Sequence, residues 1–301
     1  MTSRLLITFL LVAGLAFMGT AIFWLVMAPR GHVERTWSDE PLAPSDVLTE
    51  LRTRRSPAAT ADVSSIPVPI LTYHYVRVIS PDDDPLGYRL SVPPGDFALQ
   101  LEAFKHRGYE PITLKDFFAG RINERSIILT FDDGYRDFFE AAYPILRRRG
   151  VTAVAFVTTG FLNDKEGRYL TDEMVRELHD AGIEIGAHTV THANLAAITP
   201  EKLRTELLES RFRLEELIGD RVTSVAYPSG KYSDDVLRLS AFAGYDLGVT
   251  TEYGAATLRD DVLRLPRINV TGGMPVDELL DKIDTAKRET TSRLSASPAD
   301  G

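Results

Sequence analysis

Two clusters in the chain have residue types and spacing suited to hydrolytic chemistry. Asp132 and Asp133 stand side by side in Thr130-Phe131-Asp132-Asp133-Gly134, directly after the apolar run Ile127-Ile128-Leu129. Adjacent carboxylates repel unless a cation or a proton compensates them. Asp-Asp-Gly also suits a plain turn, so this pair alone decides nothing. The second cluster is Gly186-Ala187-His188-Thr189-Val190-Thr191-His192, again behind a short apolar run. Neutral imidazoles are common ligands of zinc and similar cations, and a spacing of four can aim two of them to one side. Two of only six histidines in the chain fall here. Together the clusters read as a two-histidine, one-carboxylate metal site with positions left for water and substrate. One carboxylate of the pair would bind the ion and the other would act as a base.

Such groups must be held by a scaffold, and the flanking pattern suggests which. Short apolar runs alternate with amphipathic ones from about Ile66 to Lys287. Strands are expected at 70–73, 126–131, 152–157, 183–186, 222–227, 247–250 and 262–265. Helices are expected at 96–107, 136–149, 171–180, 199–218, 233–243 and 275–287, with Thr171 as an N-cap, Pro200 in a first turn, and Gly108, Gly150 and Gly182 at helix ends. Buried strands alternating with helices imply a parallel sheet. No phosphate-cradling glycine motif follows the first strand, so nucleotide binding has no support. A (β/α) barrel gathers its chemistry at the C-terminal ends of its strands, which is where both clusters lie.

Outside this unit, residues 5–28 are apolar or small and uncharged between Arg4 and Arg30. At ~1.5 Å per residue such a helix can span a ~30 Å hydrocarbon core. Residues 1–28 are therefore expected to be an uncleaved signal-anchor, 29–65 a proline-containing linker, 66–287 the catalytic domain, and 288–301 a disordered tail. Arg30 and Arg35 behind the helix mildly favour an inward-facing domain, but large domains translocate largely regardless of such charges. An outward face suits the polymeric substrate considered below. The net charge of -9 argues against nucleic acid as a partner. With no cysteine, disulfides and thiolate ligands are excluded.

The Thr-Phe-Asp-Asp-Gly and His-Thr-x-x-His elements, in this order, resemble the first two motifs of the polysaccharide deacetylases, also called carbohydrate esterase family 4. The likeness runs from about Pro69 to Asp284. It implies a distorted (β/α) barrel, a divalent cation (zinc, with cobalt or nickel as alternatives) and hydrolysis of N-acetyl groups from N-acetylglucosamine residues. By motif, Asp132 resembles the catalytic base, Asp133, His188 and His192 resemble the metal ligands, and the backbone N–H of Ser229 falls where the oxyanion is held. Two later motifs depart from the family pattern. Ala226-Tyr227-Pro228-Ser229-Gly230 lacks the arginine that usually orients the base, and Leu265-Pro266-Arg267-Ile268-Asn269 lacks the usual acid histidine. The early Pro69-Ile70-Leu71-Thr72-Tyr73-His74-Tyr75-Val76 and the late Leu-Pro-Arg-Ile resemble the subgroup acting on poly-N-acetylglucosamine exopolysaccharide. In that likeness His74 would supply the acid and Arg267 the arginine. An O-acetyl esterase and an inactive glycan-binding module of the same fold are the alternatives. His32, His106 and His179 carry no expected role, and Tyr73, Tyr75 and Tyr227 read as either packing or a sugar-binding wall.

Overall fold

The computed structural model describes residues 63–296. The expected membrane helix and nearly all of the linker lie outside them. Among the described residues no helix is long and apolar enough to cross a membrane.

The strands in chain order are β1 (Val68–Tyr73), β2 (Glu110–Pro111), β3 (Ser126–Phe131), β4 (Val154–Val157), β5 (Glu184–Ala187), β6 (Ser224–Ala226), β7 (Leu247–Tyr253), β8 (Ala255–Ala256) and β9 (Leu265–Asn269). The order β3-β4-β5-β6-β7-β9-β1 returns to β3, closing a barrel of seven parallel strands. β1 is the closing strand, with Ile70 opposite Ile128, Tyr73 opposite Phe131, and Leu71 opposite Ile268. β2 adds to β3 outside the ring, and β8 pairs antiparallel with the start of β1. β1, β3, β4, β5 and β6 are buried along their whole length, which explains their largely apolar sequences.

Helices stand between the strands largely where their signals lie. Thr171 and Thr199 accept hydrogen bonds from the backbone N–H groups of Met174 and Lys202 and so cap Asp172–Asp180 and Pro200–Ile218. Two short helices, Pro85–Leu90 and Leu114–Phe118, have too few residues for a periodic signal. The strand expected at 262–265 instead occupies Leu265–Asn269, because Pro266 and Arg267 interrupt the apolar run that marks the other strands. The last helix does not stop at Lys287 but continues to Ala296. Thr290 is buried there and donates to the Ala255 carbonyl, and Arg293 pairs with Asp260 at 2.8 Å. These tertiary contacts order a stretch whose composition alone suggests none.

Candidate active site

Asp132 and Asp133 follow β3, His188 follows β5, His74 follows β1, and Ser229 sits in the turn after β6. All five therefore lie at the C-terminal end of the barrel. Arg267 reaches the same end from within β9.

The two aspartates diverge because the backbone reverses between them. Asp132 N–H donates to the Tyr73 carbonyl at 3.0 Å, continuing the β1–β3 ladder. Asp133 then adopts φ 76° and Gly134 φ 77°. A Cβ at Gly134 would come within 3.3 Å of the Val157 side chain, so space and dihedral both favour glycine.

Asp133 faces the histidines. Its Oδ1 lies 3.2 Å from His188 Nε2 and 3.3 Å from His192 Nε2. That oxygen is buried and has no hydrogen-bond partner. His188 Nδ1 lies 2.7 Å from the Ala226 carbonyl oxygen, which can only accept, so Nδ1 carries the proton. In the neutral ring Nε2 is then a lone pair aimed at Asp133. Burial raises the Asp133 pKa, and only when the imidazoles carry a proton at Nε2 do their hydrogen bonds and charge outweigh it and hold the carboxyl below the usual range. The His188 lone pair and an unsatisfied anionic oxygen face each other with His192 Nε2 beside them, an arrangement that is unfavourable without a cation between them, so these residues fit a divalent ion. The strain points the same way. Asp133, Thr189 (φ 67°), His192 (φ 57°) and Ser229 (φ 54°) are four of the five non-glycine residues with positive φ among those described.

Asp132 turns to a different partner. Arg267 donates from Nη1 to Oδ1 at 2.8 Å and from Nη2 to Oδ2 at 2.7 Å, a bidentate pair with both side chains almost wholly buried. The same guanidinium donates to Thr130 Oγ1 at 3.0 Å and to the Thr250 carbonyl at 2.7 Å. Burial raises the Asp132 pKa, and the Arg267 charge and hydrogen bonds outweigh it, so the group stays ionised. His74 is half-buried near both aspartates. Desolvation lowers its pKa below the ordinary imidazole value, against the pull of Asp132 and Asp133.

The remaining expectations divide. Ser229 is exposed at the site's edge. Tyr73 and Tyr227 are packing residues, fully buried with their hydroxyls bonded to Gln100 and to the Leu263 carbonyl. Tyr75 is half-exposed and heads an aromatic row. It stacks on Tyr135 at 3.7 Å, and Tyr135 stacks on Tyr169 at 5.1 Å. Tyr135 directly follows Gly134, which places the row beside the site; burial raises all three phenol pKa values, and the Asp133 charge raises them further. Tyr135 could have been suspected from its place next to Gly134. Tyr169 gives no local sign, because an isolated bridge from another loop brings it in.

Comparison with known proteins agrees with this geometry. Residues 119–248 match the polysaccharide deacetylase family. The Bacillus subtilis protein YxkH, named for the same family, is 31% identical over 212 residues, covering 69% of this chain and 72% of that one. The poly-beta-1,6-N-acetyl-D-glucosamine N-deacetylase of Staphylococcus aureus is 27% identical over 197 residues, covering 60% of this chain and 68% of that one. Among solved structures, the Streptococcus pyogenes deacetylase PplD in complex with acetate superposes with a TM-score of 0.67 at 31% identity, over 72% of this chain and 98% of that one.

Proposed function

The chain belongs to the polysaccharide deacetylase family, and from that premise we propose that it removes N-acetyl groups from an N-acetylglucosamine-containing polysaccharide. The observation that carries the reading is the division of labour between neighbouring carboxylates. Asp133 faces the Nε2 atoms of two imidazoles, while Asp132 is held ionised by Arg267.

Asp133, His188 and His192 would hold a divalent ion, zinc being the first candidate. When bound, that ion supplies Lewis acidity toward water and the acetyl carbonyl. Asp132 accepts the proton of the attacking water on its carboxylate, and Arg267 fixes the direction of that carboxylate. The Ser229 backbone N–H would donate to the oxygen that becomes negative. His74 passes a ring proton to the leaving sugar nitrogen, which otherwise departs as a very poor amide anion. Water and the N-acetyl group thus yield acetate and a free amine. Each amine adds positive charge to the glycan and changes its attraction to acidic surfaces.

The lost third-motif arginine does not mark an inactive glycan binder in this reading. Metal binding alone does not require Asp132, yet Arg267 spends a fully buried guanidinium on it. Acetate release from poly-N-acetylglucosamine, peptidoglycan and acetylated xylan, measured side by side, tests the substrate class. Release from xylan alone would replace the N-deacetylase reading with an O-acetyl esterase. We also assign residues 5–28 as a membrane anchor holding the domain outside the cytoplasm, on their length and lack of charge. Full-length protein should resist carbonate extraction from membranes, and a mature form beginning near Pro29 and free of membranes would show that the segment is cleaved.

A further inference from the structure

The ligand loop between His188 and His192 is short and strained. Thr189, a β-branched residue, and His192 both lie in the left-handed region. Something must hold them there. Part of the restraint is visible along the loop. The Thr159 and Gly160 N–H groups donate to the carbonyls of Thr189 and Val190 at 3.1 and 2.8 Å, and Thr189 Oγ1 accepts from the His192 N–H at 3.1 Å. A Cβ at position 160 would lie 2.5 Å from the Val190 carbonyl oxygen, so only glycine allows that approach.

Two further donors, the Val190 and Thr191 N–H groups, point to neither strand nor neighbouring loop. Both go to one carboxylate oxygen. Glu206 Oε2 accepts from Val190 N at 2.9 Å and from Thr191 N at 2.8 Å, while Oε1 accepts from the Thr191 hydroxyl at 2.5 Å. Glu206 lies on the buried face of helix Pro200–Ile218 and is only 2% exposed. A carboxylate in that position is costly unless fully bonded. Among the described residues no lysine or arginine donates a hydrogen bond to it, and all three donors come from the ligand loop. Helix Pro200–Ile218 is itself anchored there, since the Tyr245 hydroxyl donates to the Leu207 carbonyl.

We infer that Glu206 is a positioning residue for the metal centre, clamping the loop so that His192 is aimed at Asp133 and His188. It acts through the Val190 and Thr191 N–H groups and the Thr191 hydroxyl, next to His192. The inference rests on the reading of Asp133, His188 and His192 as metal ligands.

The test is a competition titration of the metal-free full-length chain with Zn2+ and a chromogenic chelator. Glu206→Ala is expected to weaken Zn2+ binding about 10–100-fold, the range for groups that orient ligands. Glu206→Gln keeps an oxygen for the two N–H groups and should stay within about threefold of wild type. In a His192→Ala background, Glu206→Ala should cost less than about twofold, because the ligand it aims is gone. Should Glu206→Ala not fold, Thr191→Val removes the hydroxyl contact at an exposed position, and a loss of about threefold or more is expected. Folded Glu206→Ala with wild-type affinity, Gln losing as much as Ala, equal losses with and without His192, or Thr191→Val binding as wild type would each overturn the clamp. Wild-type Zn2+ binding by His188→Ala/His192→Ala would instead overturn the metal site itself. Loss there with full binding in Glu206→Ala would sink the clamp alone.

Discussion

Arg267→Met is the most informative single perturbation of the site. The substitution keeps an apolar stem in β9 and deletes four hydrogen bonds, two of them to the Asp132 carboxylate. Breaking one partner out of a buried ion pair typically costs about 3–5 kcal/mol, because a desolvated charge is left behind. With Asp132 4% exposed, solvent cannot make good the loss. The pH dependence follows with a definite sign. In the wild type the folded-state pKa of Asp132 is depressed, so the pair stabilises the fold above the ordinary carboxylate range and less as pH falls through the folded value. Without Arg267 burial dominates, the pKa rises, and the variant is penalised at neutral pH but recovers on acidification. The stability gap between the two proteins should therefore narrow from pH 7.5 to pH 5 in urea titrations. Because the base must be ionised to act, the acidic limb of kcat/KM for acetate release should move to higher pH. Introduced into Asp132→Asn, the same change should cost much less stability, since no stranded charge results. An unmoved acidic limb in a folded Arg267→Met enzyme would refute the assignment of Arg267 as the partner of the base.

Asp132→Asn should lower turnover about 10²–10⁴-fold while leaving Zn2+ content near wild type; equal loss of metal would make Asp132 a ligand instead. His74→Gln should cut turnover strongly and remove the alkaline limb of the pH–rate profile. In the wild type that limb should fall below the ordinary imidazole range, because burial lowers the His74 pKa and the acid must be protonated to act. A Gln variant with wild-type turnover and an unchanged alkaline limb would remove His74 from the mechanism.

The features legible in the sequence are those that depend on short-range pattern. β3 runs Ser126–Phe131 as its uninterrupted Ile-Ile-Leu suggests, and Thr171 and Thr199 cap the helices they precede. Barrel closure was only implied by repetition, since the β1–β3 pairing joins elements that a one-dimensional pattern cannot bring together. The same limit governs the site. Asp133, His188 and His192 carry a spacing signature and do converge. Arg267 stands more than a hundred residues from Asp132, and only likeness to a subgroup pointed to it. Glu206 gives no sign at all, because a glutamate in an amphipathic helix is ordinarily read as part of its wet face. Tyr169 is hidden for a similar reason, reaching the site through a loop–loop bridge.

The placement of Arg267 bears on how such a site tolerates change in its motifs. The base needs a cationic partner that is rigid, buried and aligned with both carboxylate oxygens. It does not need that partner to come from a particular strand. In a closed barrel every strand end faces the same small volume, and β9 is separated from β3 only by β1. An arginine on β9 can therefore meet the Asp132 carboxylate as directly as one from the turn after β6. β9 accommodates it at a cost in strand regularity. Its pairing with β7 shifts between Val249 and Tyr253, and the Thr250 carbonyl inside that irregularity is the one that accepts Arg267 Nε. The irregular ladder leaves a carbonyl free to bind the guanidinium, and the guanidinium satisfies the carbonyl that the ladder leaves over. The β7–β9 register shift and the Arg267 guanidinium thus meet at one carbonyl, each satisfying a hydrogen-bonding need of the other.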